Sequence, residues 1–258
     1  MAEYQNYQKT AQTAGRYDAS VDAGLRSYML RVYNMMGGGL AITGLTALAT
    51  VSLATTVDPS QAVAQLGNGK MLTNFGSLLY GSPLRWVVML APLALVFFMG
   101  FRIENIKAST ASTMFWAFAA LMGVSMSSIF LVYTSGSVVQ TFFITATAFA
   151  SLSLYGYTTK RDLTGMGSFL IMGVIGLLLA MVVNIFMQSS ALQFAISGIG
   201  VLIFAGLTAY DTQKIKEMFY GGDSGETISK KATMGALSLY LDFINMFQFL
   251  LYFLGNRE

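Results

Sequence analysis

Met234-Gly-Ala-Leu-Ser-Leu-Tyr-Leu-Asp-Phe-Ile-Asn-Met-Phe-Gln-Phe-Leu-Leu-Tyr-Phe-Leu254 is an apolar run with one carboxylate, Asp242, near its middle. A helix needs about 20 apolar residues to cross a bilayer core, so the run is long enough to do so. A charge at mid-depth costs at least ~3 kcal/mol on insertion scales. At ~100° per residue, Gly235, Ser238, Asp242, Asn245 and Tyr252 fall on one narrow face. That stripe is expected to face a bundle interior or a water-filled cavity, with Ser238 and Asn245 supporting the carboxylate. Small and polar residues also lock membrane helices together, but an ionisable side chain at this depth favours function over packing.

The rest of the chain reads the same way. Of its 258 residues, 55% are hydrophobic and only 10% charged, against about 25% charged in soluble domains. This is the composition of an all-α, polytopic membrane protein. The net charge of +3 is small and does not point to nucleic acid. There is no Cys and no His. Disulfides, thiol chemistry, the commonest metal ligand and the usual near-neutral proton switch are therefore all absent. Any pH sensing must use carboxylates.

Seven apolar runs follow one another. We read residues 1–27, rich in Tyr, Gln, Ala and Thr, as a flexible tail, and 28–258 as one seven-helix transmembrane domain. Span one is expected over 35–57, with Gly37, Gly38, Gly39 and Gly44 as close-packing points, and Asp58-Pro59 ends it. A loop over 58–83 follows, carrying the turn Gly67-Asn68-Gly69, with 71–80 expected on the membrane surface. Span two is 84–101 and contains Pro92, which removes a backbone hydrogen bond and is expected to kink it. Spans three to six are 111–133, 138–157, 166–187 and 191–210. Lys214, Lys216 and Glu217 at helical spacing extend span six beyond the membrane. Gly221 to Gly225 breaks that helix, and span seven closes the chain.

Lys and Arg fall unevenly across the alternate loops. Twelve lie ahead of span one and in the loops after spans two, four and six; three (Lys70, Arg85 and Arg257) lie on the other side. Cytoplasmic loops carry the excess. The N-terminus is thus expected inside and the C-terminus outside.

Two carboxylates lie in or beside apolar spans, Asp211 at the end of span six and Asp242 in span seven. Asp211 shares a helical face with Ser197, Gly200, Phe204 and Thr208. If span six continues past Asp211 while span seven enters deeply, the two carboxyl groups approach. Carboxyl groups in contact do not both ionise easily and share a proton.

Tyr210-Asp211-Thr212-Gln213-Lys214-Ile215, followed by Leu237-Ser238-Leu239-Tyr240-Leu241-Asp242-Phe243-Ile244-Asn245, resembles the paired signature of the Bax inhibitor-1 family. The resemblance covers roughly residues 28–254, and the short loops look like those of a bacterial member. It implies a seven-helix fold with the last helix central in the bundle. It also implies a bacterial inner-membrane location and, by similarity to members that act as proton-regulated calcium leak channels, a pH-sensing pair at Asp211 and Asp242. For Arg102 it implies a latch holding the closed state. A subgroup with a similar Gly-rich first span is linked to a membrane-embedded ATP-dependent protease.

These readings give two function classes. The first is a cation leak channel in which Asp211 and Asp242 line a polar interior and offer Ca²⁺ transient oxygen ligands, as hard cations prefer. Its partners are calcium ions, protons and the lipid bilayer, with no cofactor. The second is an interaction protein that modulates a membrane protease. An enzyme is not expected. Tyr210-Asp211 superficially matches an intramembrane aspartyl protease, but Tyr240-Leu241-Asp242 lacks the Gly-x-Gly-Asp partner of such enzymes. A retinal protein would need a mid-span Lys, which no span has.

Overall fold

The computed structural model describes the backbone of residues 2–257 and the side chains of residues 22–257. Helix α1 runs Ala2–Ala54, so the backbone of the expected tail continues the first helix. The tail's side chains before Asp22 lie outside the described residues. The long apolar helices are the Asp22–Ala54 part of α1, α3 (Leu84–Arg102), α4 with α5 (Ala108–Met126, Ile129–Val132), α6 (Ser135–Thr158), α7 (Thr164–Met187), α8 (Ser190–Glu217) and α9 (Gly225–Leu254). The molecule therefore has seven helices long and apolar enough to cross a membrane. The Lys- and Arg-rich loops share one end of the bundle, here called the basic end.

Helix α9 is the axis. It packs against α8, α1, α6 and α4. Half of its apolar window is buried, a larger share than in any other span. From Ala232 to Phe247 its buried residues point in every direction, as in a helix enclosed on all sides. Tyr240 is fully buried between Phe115 and Phe118, with ring centroids 6.0 and 5.4 Å away. The peripheral helices expose Leu, Ile, Val and Phe outward, α3 and α7 most of all. That surface suits lipid and not water.

Span one ends three residues earlier than expected. The Ala54 carbonyl accepts the Thr73 backbone N–H at 3.0 Å, and the β-branched pair Thr55-Thr56 turns extended. The loop that follows, including 71–80, is built into a small cap on the bundle. Two-residue strands β1 (Thr55–Thr56), β2 (Ala64–Gln65) and β3 (Met71–Leu72) pair antiparallel in the order β1-β3-β2. A short α2 (Asn74–Gly76) and a single π turn (Ser77–Gly81) lead on to α3. This cap is tied to the end of α5 by Asn68 Nδ2 and Lys70 Nζ, which donate at 2.7 Å to the carbonyls of Leu131 and Phe130. Pro92 is buried inside an α3 that continues to Arg102.

The third run is interrupted after Met126. Ser127 Oγ returns to the Val124 carbonyl (2.6 Å) and meets Tyr80 Oη (2.7 Å). Hydroxyls that bond backward compete with the helix ladder. At the same end the chain terminus is fastened to α6: Asn256 N donates to Ser137 Oγ and its carbonyl accepts Thr134 N.

Candidate functional site

Helices α8 and α9 share the most extensive helix–helix contact in the bundle. Small residues let them approach. A Cβ on Gly235 of α9 would meet Ile215 at 2.9 Å, and one on Gly200 of α8 would meet Phe249 at 2.7 Å. Phe204 and Phe249 stack across the same seam at 5.8 Å.

Within this seam the carboxyl groups of Asp211 and Asp242 come close enough to act on each other. Asp242 is 5% exposed and Asp211 half-buried. No hydroxyl or amide among the described residues donates to Asp242 Oδ2. An acceptor-only carboxylate facing another carboxylate lacks a donor unless one of the two carries a proton. The contact is possible because α8 extends to Glu217, beyond the apolar span, carrying Asp211 to the level of Asp242.

The cation that acts on Asp211 is Lys214, three residues further along α8. Its Nζ also lies 5.8 Å from the Tyr210 ring centroid. The structure does not bring Arg102 to the pair. It ends α3 exposed, and its side chain makes no hydrogen bond or ion pair among the described residues. Helix α3 packs chiefly on α4, whereas α8 has α6, α7 and α9 as its main neighbours.

The polar stripe expected on α9 divides between two neighbours. Gly235 and Asp242 face α8. Asn245 and Tyr252 instead line a cleft of about 550 Å³ between α3, α4 and α9, together with Pro92, Ser125 and Gln248. Asn245 Nδ2 donates to the Leu241 carbonyl at 2.8 Å. Ser238 is half-buried and its hydroxyl has no hydrogen-bond partner among the described residues. Leu241 and Asn245 bring the cleft wall to within one helical turn of Asp242, approaching it from the end opposite the basic loops.

Two polar networks frame the site that the sequence reading missed. Tyr33 Oη meets Ser153 Oγ (2.7 Å), which meets Thr212 Oγ1 (2.9 Å), joining α1, α6 and α8 next to Asp211. Gln213 accepts Leu163 N and donates to the Arg161 carbonyl, both at 2.8 Å, and so clamps the α6–α7 loop to α8. A signal for these was present, since Thr208 and Thr212 repeat at i, i+4 on the Asp211 face. Among the described residues no group of three or more His, Cys, Asp or Glu side chains could hold a metal ion. Asp211 and Asp242 together offer carboxyl oxygens from two residues only.

The family model described as inhibitor of apoptosis-promoting Bax1 matches residues 25–258. This chain belongs to the Bax inhibitor-1 family. A Caulobacter vibrioides protein is 51% identical over 95% of each chain. A Rickettsia prowazekii protein is 46% identical over 98% of this chain and 99% of its own. The inner membrane protein YbhL of Escherichia coli is 43% identical over 92% of this chain and 94% of its own. For this Bax inhibitor-1 family member, the match explains both the seven spans and the paired Tyr210-Asp211 and Asp242 motifs, and it is a multi-pass membrane protein. Arg102 and the Asp211–Asp242 pair both lie within the matched residues.

Proposed function

We propose that the protein is a proton-regulated leak pathway for cations, Ca²⁺ among them, gated by the Asp211–Asp242 pair. We place it in a bacterial inner membrane, as YbhL is, with the basic end cytoplasmic. The observation that carries the reading is the contact of two carboxyl groups between α8 and the central α9, with Asp242 Oδ2 buried and without another donor. In the closed state one proton is shared by the pair. Its loss leaves two like charges facing each other and loosens the α8–α9 seam; its return restores the contact. The cleft, mostly apolar but carrying Asn245, Gln248, Ser125 and Ser128, gives the route an entry on the opposite side. Two carboxylates are few for a storage site, so passage is the better reading. Arg102 is exposed at the end of α3, so in this reading it acts on the pair only after α3 moves.

The test is Ca²⁺ flux in proteoliposomes across pH for the wild type, Asp211→Asn and Asp242→Asn. Both substitutions keep the shape and remove the titration. Flux that rises with pH in the wild type and is flat in both variants is the expected result. Wild-type vesicles that pass no Ca²⁺ at any pH would sink the leak pathway and favour an interaction protein that modulates a membrane-embedded protease. A pH profile that survives both substitutions would leave the pair a structural contact.

A further inference from the structure

Gly37 and Gly44 were expected to be packing points, yet a Cβ at either would meet nothing within 4 Å. Both line a groove of about 670 Å³ between α1 and α6, floored by Phe243, Ile244 and Phe247 of α9. On the same seam, nearer the basic end, lies a second groove of about 480 Å³, with Arg26 and Tyr157 at its mouth and Tyr33 and Phe149 below. The Tyr33–Ser153 hydrogen bond ties α1 to α6 within the second groove, which both residues line. Phe243, Ile244 and Phe247 are themselves buried and close the floor, so the groove is an apolar recess in the outer face of the bundle at membrane depth, where a bilayer supplies only lipid.

From this geometry we infer that the α1–α6 seam binds one anionic glycerophospholipid, with its phosphate at Arg26 and an acyl chain laid along Gly37 toward Gly44. Charge and length both support this occupant. Arg26 makes no ion pair among the described residues, so its charge is available to a phosphate. Lys216 adds charge beside it, donating to the Tyr157 carbonyl at 2.9 Å with its Nζ 5.7 Å from that ring. Juxtamembrane cations attract anionic headgroups. The 11 residues from Arg26 to Gly37 rise ~16 Å, within the ~20–22 Å half-thickness of a bilayer counted with its headgroups, so a chain whose phosphate sits at Arg26 reaches Gly37 before the midplane. The absent side chains at Gly37 and Gly44 leave a channel of acyl width where α1 would otherwise close on α6. The inference is independent of ion leak.

The test uses the full chain reconstituted in phosphatidylcholine vesicles with and without phosphatidylglycerol, extracted in mild detergent and weighed by native mass spectrometry. The wild type is expected to retain one phosphatidylglycerol in preference to phosphatidylcholine. Gly37→Leu fills open space, so the protein folds, and bound lipid of either kind is lost. Arg26→Gln keeps a lipid but lowers the preference for phosphatidylglycerol about fivefold, the weight of one surface cation. Should Gly37→Leu not fold, Gly44→Leu repeats the test. Equal retention by the wild type and the Leu variants overturns the inference, as does a preference unchanged in Arg26→Gln. A dimer that Gly37→Leu breaks while lipid retention is unchanged also overturns it and assigns the seam to a second copy.

Discussion

The hydroxyl of Thr43 lies 2.6 Å from Tyr240 Oη and 2.9 Å from the carbonyls of Gly39 and Ala119. Having one proton, it gives that proton to a carbonyl and accepts from Tyr240, linking α1, α4 and the axial α9. Thr43→Val keeps the shape and leaves Tyr240 Oη with no partner in a fully buried site. An orphaned buried group costs about 1–3 kcal/mol, and ~1 kcal/mol moves the melting point of a chain this size by about 2–4 °C. A thermal melt in detergent should show that loss, and Thr43→Ser should recover most of it; a Val variant as stable as the wild type would exclude the network as a support. At the surface, Asp162 accepts from Thr164 through its hydroxyl and its backbone N–H (2.8 Å), which holds the carboxyl below the usual range. A depressed folded-state value stabilises above the unfolded value and is lost as pH falls through the folded one. The melting difference between the wild type and Asp162→Ala should therefore be full above pH ~4 and fade below it. Asp242 was legible because a lone carboxylate in a long apolar run has few other readings. Thr43, Ser153 and Thr212 were not. In a membrane helix a hydroxyl can satisfy itself on the carbonyl four residues back, as Thr212 does on Thr208 (2.7 Å), so its partner on another helix leaves no mark in the local sequence.

The spacing of helices is set by glycines that touch backbone. A Cβ on Gly156 of α6 would lie 2.2 Å from the Ala209 carbonyl oxygen on α8, two residues before Asp211. Backbone cannot swing aside as a side chain can, so Gly156→Ala must push α6 off α8, at a cost of about 1–3 kcal/mol for overpacking. It should also disturb the Ser153–Thr212 bond one turn away, and with it the pH profile of flux. Gly176→Ala on α7, with nothing within 4 Å of the new Cβ, is the matched control and should change neither stability nor flux. Equal behaviour of the two variants would show that the α6–α8 contact does not position the pair. Hydropathy found all seven helices because each must carry an apolar run of bilayer length. It misplaced the ends of span one and gave no break after Met126, since those are decided by hydroxyls and by a loop that returns to cap a helix. Gly38 and Gly39 do pack closely, on Trp116 and Phe115, whereas Gly37 and Gly44 do not: a small residue permits close approach, but only the partner's position decides whether the approach occurs.

Across the whole molecule, helix length and charge agree on one orientation. Helix α3, with 19 residues, spans ~28 Å, close to the bilayer core, while α8 and α9, with 28 and 30, run to ~42–45 Å and project at the basic end. Their projecting turns carry Lys214, Lys216, Lys230 and Lys231. Lys231 is tied to Asp223 and to the Met218 carbonyl, and Lys230 to the Glu104 carbonyl. These ties fix the basic loops to one another beyond the hydrocarbon region, where the charges keep access to water. The opposite end carries Lys70, Arg85 and Arg257, each engaged locally: Lys70 donates to Phe130, Arg85 lies over Trp86 at 5.1 Å, and Arg257 lies over Tyr252 at 4.7 Å. Twelve cations against three favour a cytoplasmic basic end in the proposed orientation, and an odd number of spans would then send Arg257 across. A reporter that is active only in the cytoplasm should work when fused before Met1 and fail after Glu258, and one active only outside should do the reverse. Moving cations should shift the balance in proportion. Neutralising Lys160 and Arg161 alone leaves ten against three and should not invert the chain. Activity of the same reporter at both ends would require an even number of crossings, and would remove both the orientation and the opposed entries, basic end and Asn245 cleft, on which a leak through the Asp211–Asp242 seam depends.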